Sequence, residues 1–283
     1  MSKDTEIDAL LPPKYREKKK PAITGDYWKD RQAQAQAKLT KRNVKEAEAQ
    51  MRKYYEKALK HCVDEFEFTY IKLLNTKDGI PATPADLYKL DRYWQMQADI
   101  SKTLTKLGDK QAAFLESIFE RHYGDIYYSI RLDGTDTSAF KHIDRGTAEQ
   151  LMRQIWCADG ESAWSRIWKN TEKLQQMLND GLITCVATGA NPEDLKRELI
   201  KAFDVSYARA DSLVKTEMAH IQTQAAADRY RDAGIEWYQV WADEDERRCE
   251  VCGKLHQKKY PMGENPPIPA HPNCRCTIVP VVE

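Results

Sequence analysis

Cys249-Glu-Val-Cys252 and Pro266-Pro-Ile-Pro-Ala-His271-Pro-Asn-Cys274-Arg-Cys276 carry four of the chain's seven cysteines. A tight turn over the first stretch can aim both sulfurs at one ion, and the second stretch then offers an imidazole and two more thiolates. That is the pattern of a zinc ribbon or knuckle. A structural zinc takes four ligands, so Cys249, Cys252, His271, Cys274 and Cys276 are one donor too many, and His256 lies close enough in sequence to be a sixth. Cys274 and Cys276 point the same way in an extended segment, so two sets stay open: four sulfurs with His271 hydrogen-bonded behind them, or three sulfurs with His271. Soft sulfur with imidazole favours Zn2+ over magnesium or calcium. The expected role is structural, because a short segment with Pro261, Pro266, Pro267, Pro269 and Pro272 builds little core and a metal crosslink can supply what burial cannot.

On either side of this cluster the residue pattern is extended. Ile235, Trp237, Gln239 and Trp241 alternate with Glu236, Tyr238, Val240 and Ala242, and Cys276-Thr-Ile-Val-Pro-Val-Val is a second strand, so the two are expected to pair antiparallel. Everything upstream reads as helix. No proline or glycine interrupts residues 27–74, where Val44, Met51, Tyr55, Ala58, Cys62, Phe66 and Leu73 recur at helical spacing, as one long helix or two nearly continuous ones. Thr83, Pro84 and Asp86 start a second helix with Leu87, Leu90, Trp94, Ile100, Leu104 and Leu107 on one stripe, ending at Gly108. A third carries Phe114, Leu115, Ile118, Phe119, His122 and Ile126. Residues 132–146 read as a loop, Leu151 to Trp168 as short helices, Asn191-Pro192-Glu193-Asp194 as a helix start, and a longer helix runs from about Ser206 to Gly234. The fold class is thus mainly α, with long helices followed by a small C-terminal α+β zinc knuckle. Its expected parts are a flexible basic arm (1–24), a helical interaction domain (25–190) and the knuckle domain (191–283).

Composition narrows the function. The chain has 283 residues, 41% hydrophobic and 31% charged, with no apolar run long enough to span a membrane and no apolar secretory leader, so a cytosol-like compartment is expected. An odd number of cysteines cannot all pair, and their clustering favours metal over disulfides. The net charge is zero, yet residues 1–60 hold 16 Lys and Arg against 9 Asp and Glu. Lys38, Lys41, Arg42, Lys45, Arg52 and Lys53 are therefore the residues to test for non-specific contact with double-stranded DNA, although a solvated helix face is the plainer reading. No His-x-Glu, His-Glu-x-x-His, GxxxxGK[ST] or GxGxxG occurs, which removes the zinc deaminase, common zinc protease and phosphate-loop signatures. A non-enzymatic protein is expected. The alternative is a zinc-dependent nuclease or DNA-processing enzyme, which would need His256 or His271 as its base.

From Arg209 to Val281 the chain resembles the phage Mu F-like head morphogenesis family, also called phage minor head proteins. Arg209-Ala-Asp-Ser-Leu-Val-Lys-Thr-Glu217 is similar to its helix ending in Thr-Glu, and Tyr230-Arg-Asp-Ala-Gly234 to its helix end before a Trp-containing strand. Trp241-Ala-Asp-Glu-Asp-Glu-Arg-Arg-Cys249-Glu-Val-Cys252 is similar to its acidic turn and Cys-x-x-Cys. The proline-led His271-Pro-Asn-Cys274-Arg-Cys276 is its most specific element. One departure is visible: where the family commonly has Leu-Asp-Gly-Lys, this chain has Leu255-His256-Gln257-Lys258. The resemblance implies a minor component of a tailed-phage procapsid or virion head, made in the host cytoplasm. Its implied partners are the portal protein and other head proteins, with packaged DNA as a further contact.

Overall fold

The computed structural model describes residues 27–74, 91–130, 132, 145–157, 159–188, 192–242 and 248–281. The expected arm at 1–24, the helix start at Thr83, most of the loop at 132–146 and the acidic turn at 243–247 lie outside these residues.

Helix α1 (Tyr27–Leu74) is one uninterrupted helix of 48 residues. Ala47, Met51, Tyr55, Ala58, Cys62 and Phe66 are its buried stripe, three or four residues apart as a single helix face requires. Helix α2 (Asp91–Ser129) lies antiparallel to α1, joined by ion pairs of Arg42 with Asp125 at 2.6 Å and Arg121 with Glu46 at 2.7 Å and by an edge-to-face contact of Tyr54 with Phe114. Two expectations fail in α2. Gly108 does not end a helix: α2 continues through it, and a Cβ built there would sit 2.8 Å from Trp168 Cζ3. The glycine therefore makes room for a neighbouring ring at some cost in helix propensity. Trp94, placed by its spacing on the apolar stripe, is 59% exposed, while Met96 is buried.

Helix α3 (Arg145–Arg153) is short. Helix α4 (Ala163–Thr188) is longer than its expected short pieces, and α5 (Pro192–Asp232) joins the two segments expected as separate helices into 41 continuous residues. Leu174, Leu178 and Leu182 of α4 meet Leu195, Leu199 and Phe203 of α5, Tyr55 and Cys62 of α1 and Ile100 and Leu104 of α2 in one apolar cluster. The other end of α5 leads to the C-terminal unit and terminates as a Schellman motif. Gly234 adopts φ 73°, the Ile235 N–H reaches the Tyr230 carbonyl at 3.0 Å and the Gly234 N–H the Arg231 carbonyl at 3.0 Å, the pairing that satisfies the last orphan carbonyls.

Three strands follow, β1 (Trp237–Trp241), β2 (Lys259–Pro261) and β3 (Thr277–Pro280), ordered β2-β1-β3. The expected antiparallel pair is β1 with β3, in register Tyr238 to Pro280 and Trp241 to Thr277. Strand β2 is additional, paired antiparallel to β1 with Tyr238 opposite Tyr260, and Pro261 fits because β2 is an edge strand. The two faces of β1 are less unlike than alternation suggests. Tyr238 and Val240 enter the main core, but Gln239 and Trp241 are also buried, and only Trp237 is exposed. The first turns of α1 cover that second face, where Lys29 donates to Gln239 Oε1 at 3.1 Å and Trp241 Nε1 donates to Asp30 Oδ1 at 3.0 Å.

The packing at Gly108 makes a test. Gly108→Val places branched atoms where the Trp168 ring lies and is expected to destabilise the fold by about 1–3 kcal/mol, the usual cost of overpacking. Urea unfolding of the two proteins measures it; equal midpoints would show that Trp168 yields freely.

Candidate metal centre

The cluster is assembled by two short pieces on the edge of the sheet. In the first, Cys249 is the N-cap of α6 (Glu250–Leu255), and its sulfur accepts the Cys252 N–H at 3.3 Å. A helix N-terminus with free N–H groups suits a thiolate there. Cys252, one turn on, is buried. The second piece is the His271 to Cys276 turn entering β3. Asn273 holds a left-handed φ of 59°, a conformation asparagine tolerates, and the Cys274 N–H returns to the His271 carbonyl at 3.2 Å.

These pieces bring all five predicted donors together. Cys249, Cys252 and His271 form one group and Cys252, Cys274 and Cys276 another, the ligand atoms of each lying within 4.8 Å of one another. His271 Nε2 lies 3.2 Å from Cys249 Sγ and 3.1 Å from Cys252 Sγ, and Cys252 Sγ lies 3.8 Å from Cys274 Sγ. Around a tetrahedral zinc, sulfur pairs sit roughly 3.8 Å apart and sulfur–nitrogen pairs roughly 3.5 Å apart, given the usual bond lengths. The spacing thus suits one ion, which the cluster can hold. His271 is oriented for it: Nδ1 donates to the Pro272 carbonyl at 2.8 Å, which leaves the Nε2 lone pair facing the sulfurs.

The sulfurs differ in their surroundings. Backbone N–H groups of Cys252 and Val251 hold the Cys249 thiol below its usual value. Cys274 is pushed down to about 5, first by a hydrogen bond from the Cys276 thiol and also by the N–H groups of Cys276 and Ala270. Burial pushes Cys252 up to about 12, and Cys276 is raised by donating to Cys274 and by burial.

His256 lies outside both groups. Its Nδ1 accepts the Ala242 N–H at 3.2 Å, and its ring meets Trp241 edge-on at 5.0 Å, so it ties the end of β1 to the turn after α6. In that turn Gln257 has φ 61° and stands where the resembled family has glycine, the residue this conformation favours.

Several residues around the centre carry no metal-ligating signal in the sequence, Ser212, Thr216 and Glu217 entering only through the stretch Arg209 to Glu217 that bears the family resemblance. Thr216 Oγ1 accepts the Asn273 N–H at 3.0 Å and Ser212 Oγ accepts from Asn273 Nδ2 at 3.3 Å, so α5 fixes the turn that presents His271 and Cys274. Beside Thr216, Glu217 is almost fully buried; its Oε2 accepts from Trp156 Nε1 at 3.0 Å, while Oε1 has no partner among the described residues. Trp156 also stacks on His220, with centroids 4.3 Å apart. Together with the loop from Asn265 to Pro272 they line a cleft of about 630 Å³ beside His271. Burial lowers His220 to about 4, which keeps it neutral near pH 7.

The six residues expected to contact DNA all lie exposed along α1, but two are engaged by the protein itself. Arg42 pairs with Asp125, and the Arg52 guanidinium covers the Tyr207 ring at 4.8 Å. Lys38, Lys41, Lys45 and Lys53 have no ion pair among the described residues. No described helix is long and apolar enough to cross a membrane.

Glu217 makes stability depend on pH. Burial raises it from 4.5 to about 7 in the fold, so across that window the folded chain binds more protons than the unfolded one, and stability falls as pH rises through it. Glu217→Gln keeps an acceptor for Trp156 and removes the titration. Its stability profile is expected to be flatter, exceeding wild type near pH 8 by up to about 3 kcal/mol. Parallel profiles from denaturant titrations across that range would show Glu217 ionised in the fold.

Residues 176–279 match the family described as Phage Mu protein F like protein. The match starts inside α4 and runs through α5, the sheet and the cysteine cluster, earlier than Arg209, where the motif resemblance begins. No curated protein and no solved structure matches the chain.

Proposed function

We propose that this chain is a minor head protein of a tailed phage, acting through protein contacts at the procapsid interior or portal vertex, with a structural zinc in its C-terminal unit. The family match over residues 176–279 carries the reading, since it spans both the Thr216-Glu217 helix and the turn that this helix anchors. The long helices supply the partner surface, and DNA is a secondary contact through Lys38, Lys41, Lys45 and Lys53, with Arg42 and Arg52 beside them. The nuclease alternative lacks comparable support, because His256 spends Nδ1 on the Ala242 N–H and His271 turns Nε2 onto the sulfurs of Cys249 and Cys252. The decisive measurement is composition of particles assembled with and without the portal protein. The chain is expected only where portal is present; equal incorporation in both, or absence from both, refutes portal association.

For the metal, the ligands in this reading are Cys249, Cys252, His271 and Cys274. These four are joined by close contacts, His271 Nε2 lying 3.2 and 3.1 Å from the Cys249 and Cys252 sulfurs and Cys252 Sγ 3.8 Å from Cys274 Sγ, which leaves Cys276 as the surplus donor. Zinc analysis of the purified chain is expected to give about one ion per chain, lost in Cys249→Ser, Cys252→Ser and Cys274→Ser and kept in Cys276→Ser. Retention in Cys274→Ser with loss in Cys276→Ser would exchange their roles.

A further inference from the structure

The α1–α2 seam changes character along its length. At one end its facing charges are complementary, Arg42 with Asp125 and Glu46 with Arg121. Beyond the Tyr54–Phe114 contact, the same seam opens into a groove of about 460 Å³ with Lys57 and Lys60 on the α1 side and Lys106 and Lys110 on the α2 side. All four lysines are exposed, and none has an ion pair among the described residues. Tyr54, Ala58 and Leu107 supply the floor, and Asp64 is the single carboxylate in the lining. Cations brought together on two rims repel each other, which the bundle's own packing does not require: exposed positions accept either sign.

We propose that this groove docks an amphipathic helix of a partner protein whose apolar stripe is flanked on both sides by Asp and Glu. Charge complementarity selects an acidic partner, and the floor selects among acidic partners. A phosphate backbone gains little from Tyr54, Ala58 and Leu107, whereas a helix laid between two helices buries apolar side chains on that floor while its flanking carboxylates reach both rims. The stretch from Tyr54 to Asp64 rises roughly 15 Å along α1, enough for about three turns of a docked helix. The inference goes beyond the head-protein reading, and its test stands apart from particle recruitment.

The probe is a labelled synthetic peptide of about four helical turns, with leucines at i, i+3, i+4 and i+7 and glutamates on both flanks, titrated with the full chain at low salt. Binding is expected, weakened roughly tenfold or more when Lys57, Lys60, Lys106 and Lys110 are all changed to Glu, and recovered by that variant when the peptide's glutamates are lysines. Lys57→Gln with Lys106→Gln, which introduces no new charge sign, is expected to give an intermediate loss. Thermal melts verify that each variant folds. Equal peptide binding by all proteins overturns the proposal. So does a short DNA duplex that binds through these four lysines while the glutamate peptide does not.

Discussion

The Tyr230 hydroxyl is the point on which the architecture turns. It lies wholly buried at the end of α5, accepts from Gln32 Nε2 of α1 at 2.6 Å and donates to the Ile278 carbonyl of β3 at 3.1 Å. A buried hydroxyl left without partners costs about 1–3 kcal/mol, so the three elements must arrive together. Gln36, one turn on from Gln32, accepts from Thr277 Oγ1 at 2.5 Å, next to the last cysteine of the cluster. With Asp30 on Trp241 and Lys29 on Gln239, the first turns of α1 hold the C-terminal sheet from some two hundred residues away. The sheet's strands are only 5, 3 and 4 residues long, and it packs as a lid on α1 and α5.

A second polar knot fixes the same helices deeper in. His122 of α2 is completely buried, and burial lowers it to about 4. As a neutral ring it donates from Nε2 to the Met218 carbonyl of α5 at 3.1 Å, while Nδ1 accepts from Asn43 of α1 at 3.1 Å. Thr40 donates to Gln222 beside it. Apolar side chains in a long helix pair can slide by a turn at modest cost, whereas this network is satisfied in one register. Toward the sheet, Tyr123 and Tyr127 of α2 donate to Asp228 and Asp232 of α5 at 2.5 and 2.6 Å. The contacts change in kind along α5: leucine packing at its start, the histidine knot in its middle, tyrosines at its end.

What the residues disclosed in advance depends on how local each signal is. The stripe from Met51 to Phe66, the helix end at Gly234 and the pairing of β1 with β3 are written in nearby positions and are legible. Gly108 was misread because its cause, the Trp168 ring, lies sixty residues away and a glycine reads locally as a stop. The division of α5 fails for the opposite reason: no proline or glycine lies between Pro192 and Asp232, so nothing local marks the break expected before Ser206. Strand β2 has three residues, too few to show a period. In the cysteine cluster, the spacing of cysteine and histidine singles out the five side chains that the fold brings together, because ligation restricts residue type strongly. Thr216, Ser212 and Trp156 are common residues whose roles exist only across the tertiary contact, so no spacing rule finds them.

The same contrast explains why a metal would suit this place. Helix α6 is six residues long, far below the length at which a helix holds itself, and the chain from Gly263 to Cys276 forms no regular element. Each piece has slender protein anchors. The turn after α6 is tied to β1 by His256, the Gln257 N–H on the Val240 carbonyl and Gln239 on the Gln257 carbonyl. The His271 to Cys274 turn is tied to α5 by Thr216 and Ser212. These anchors place the pieces side by side but do not join them. What lies between them is Cys249 and Cys252 on one, and His271 and Cys274 on the other, so an ion held there converts two tethered loops into one crosslinked edge. Protein contacts set the positions, and ligation would supply the connection that so little apolar surface cannot.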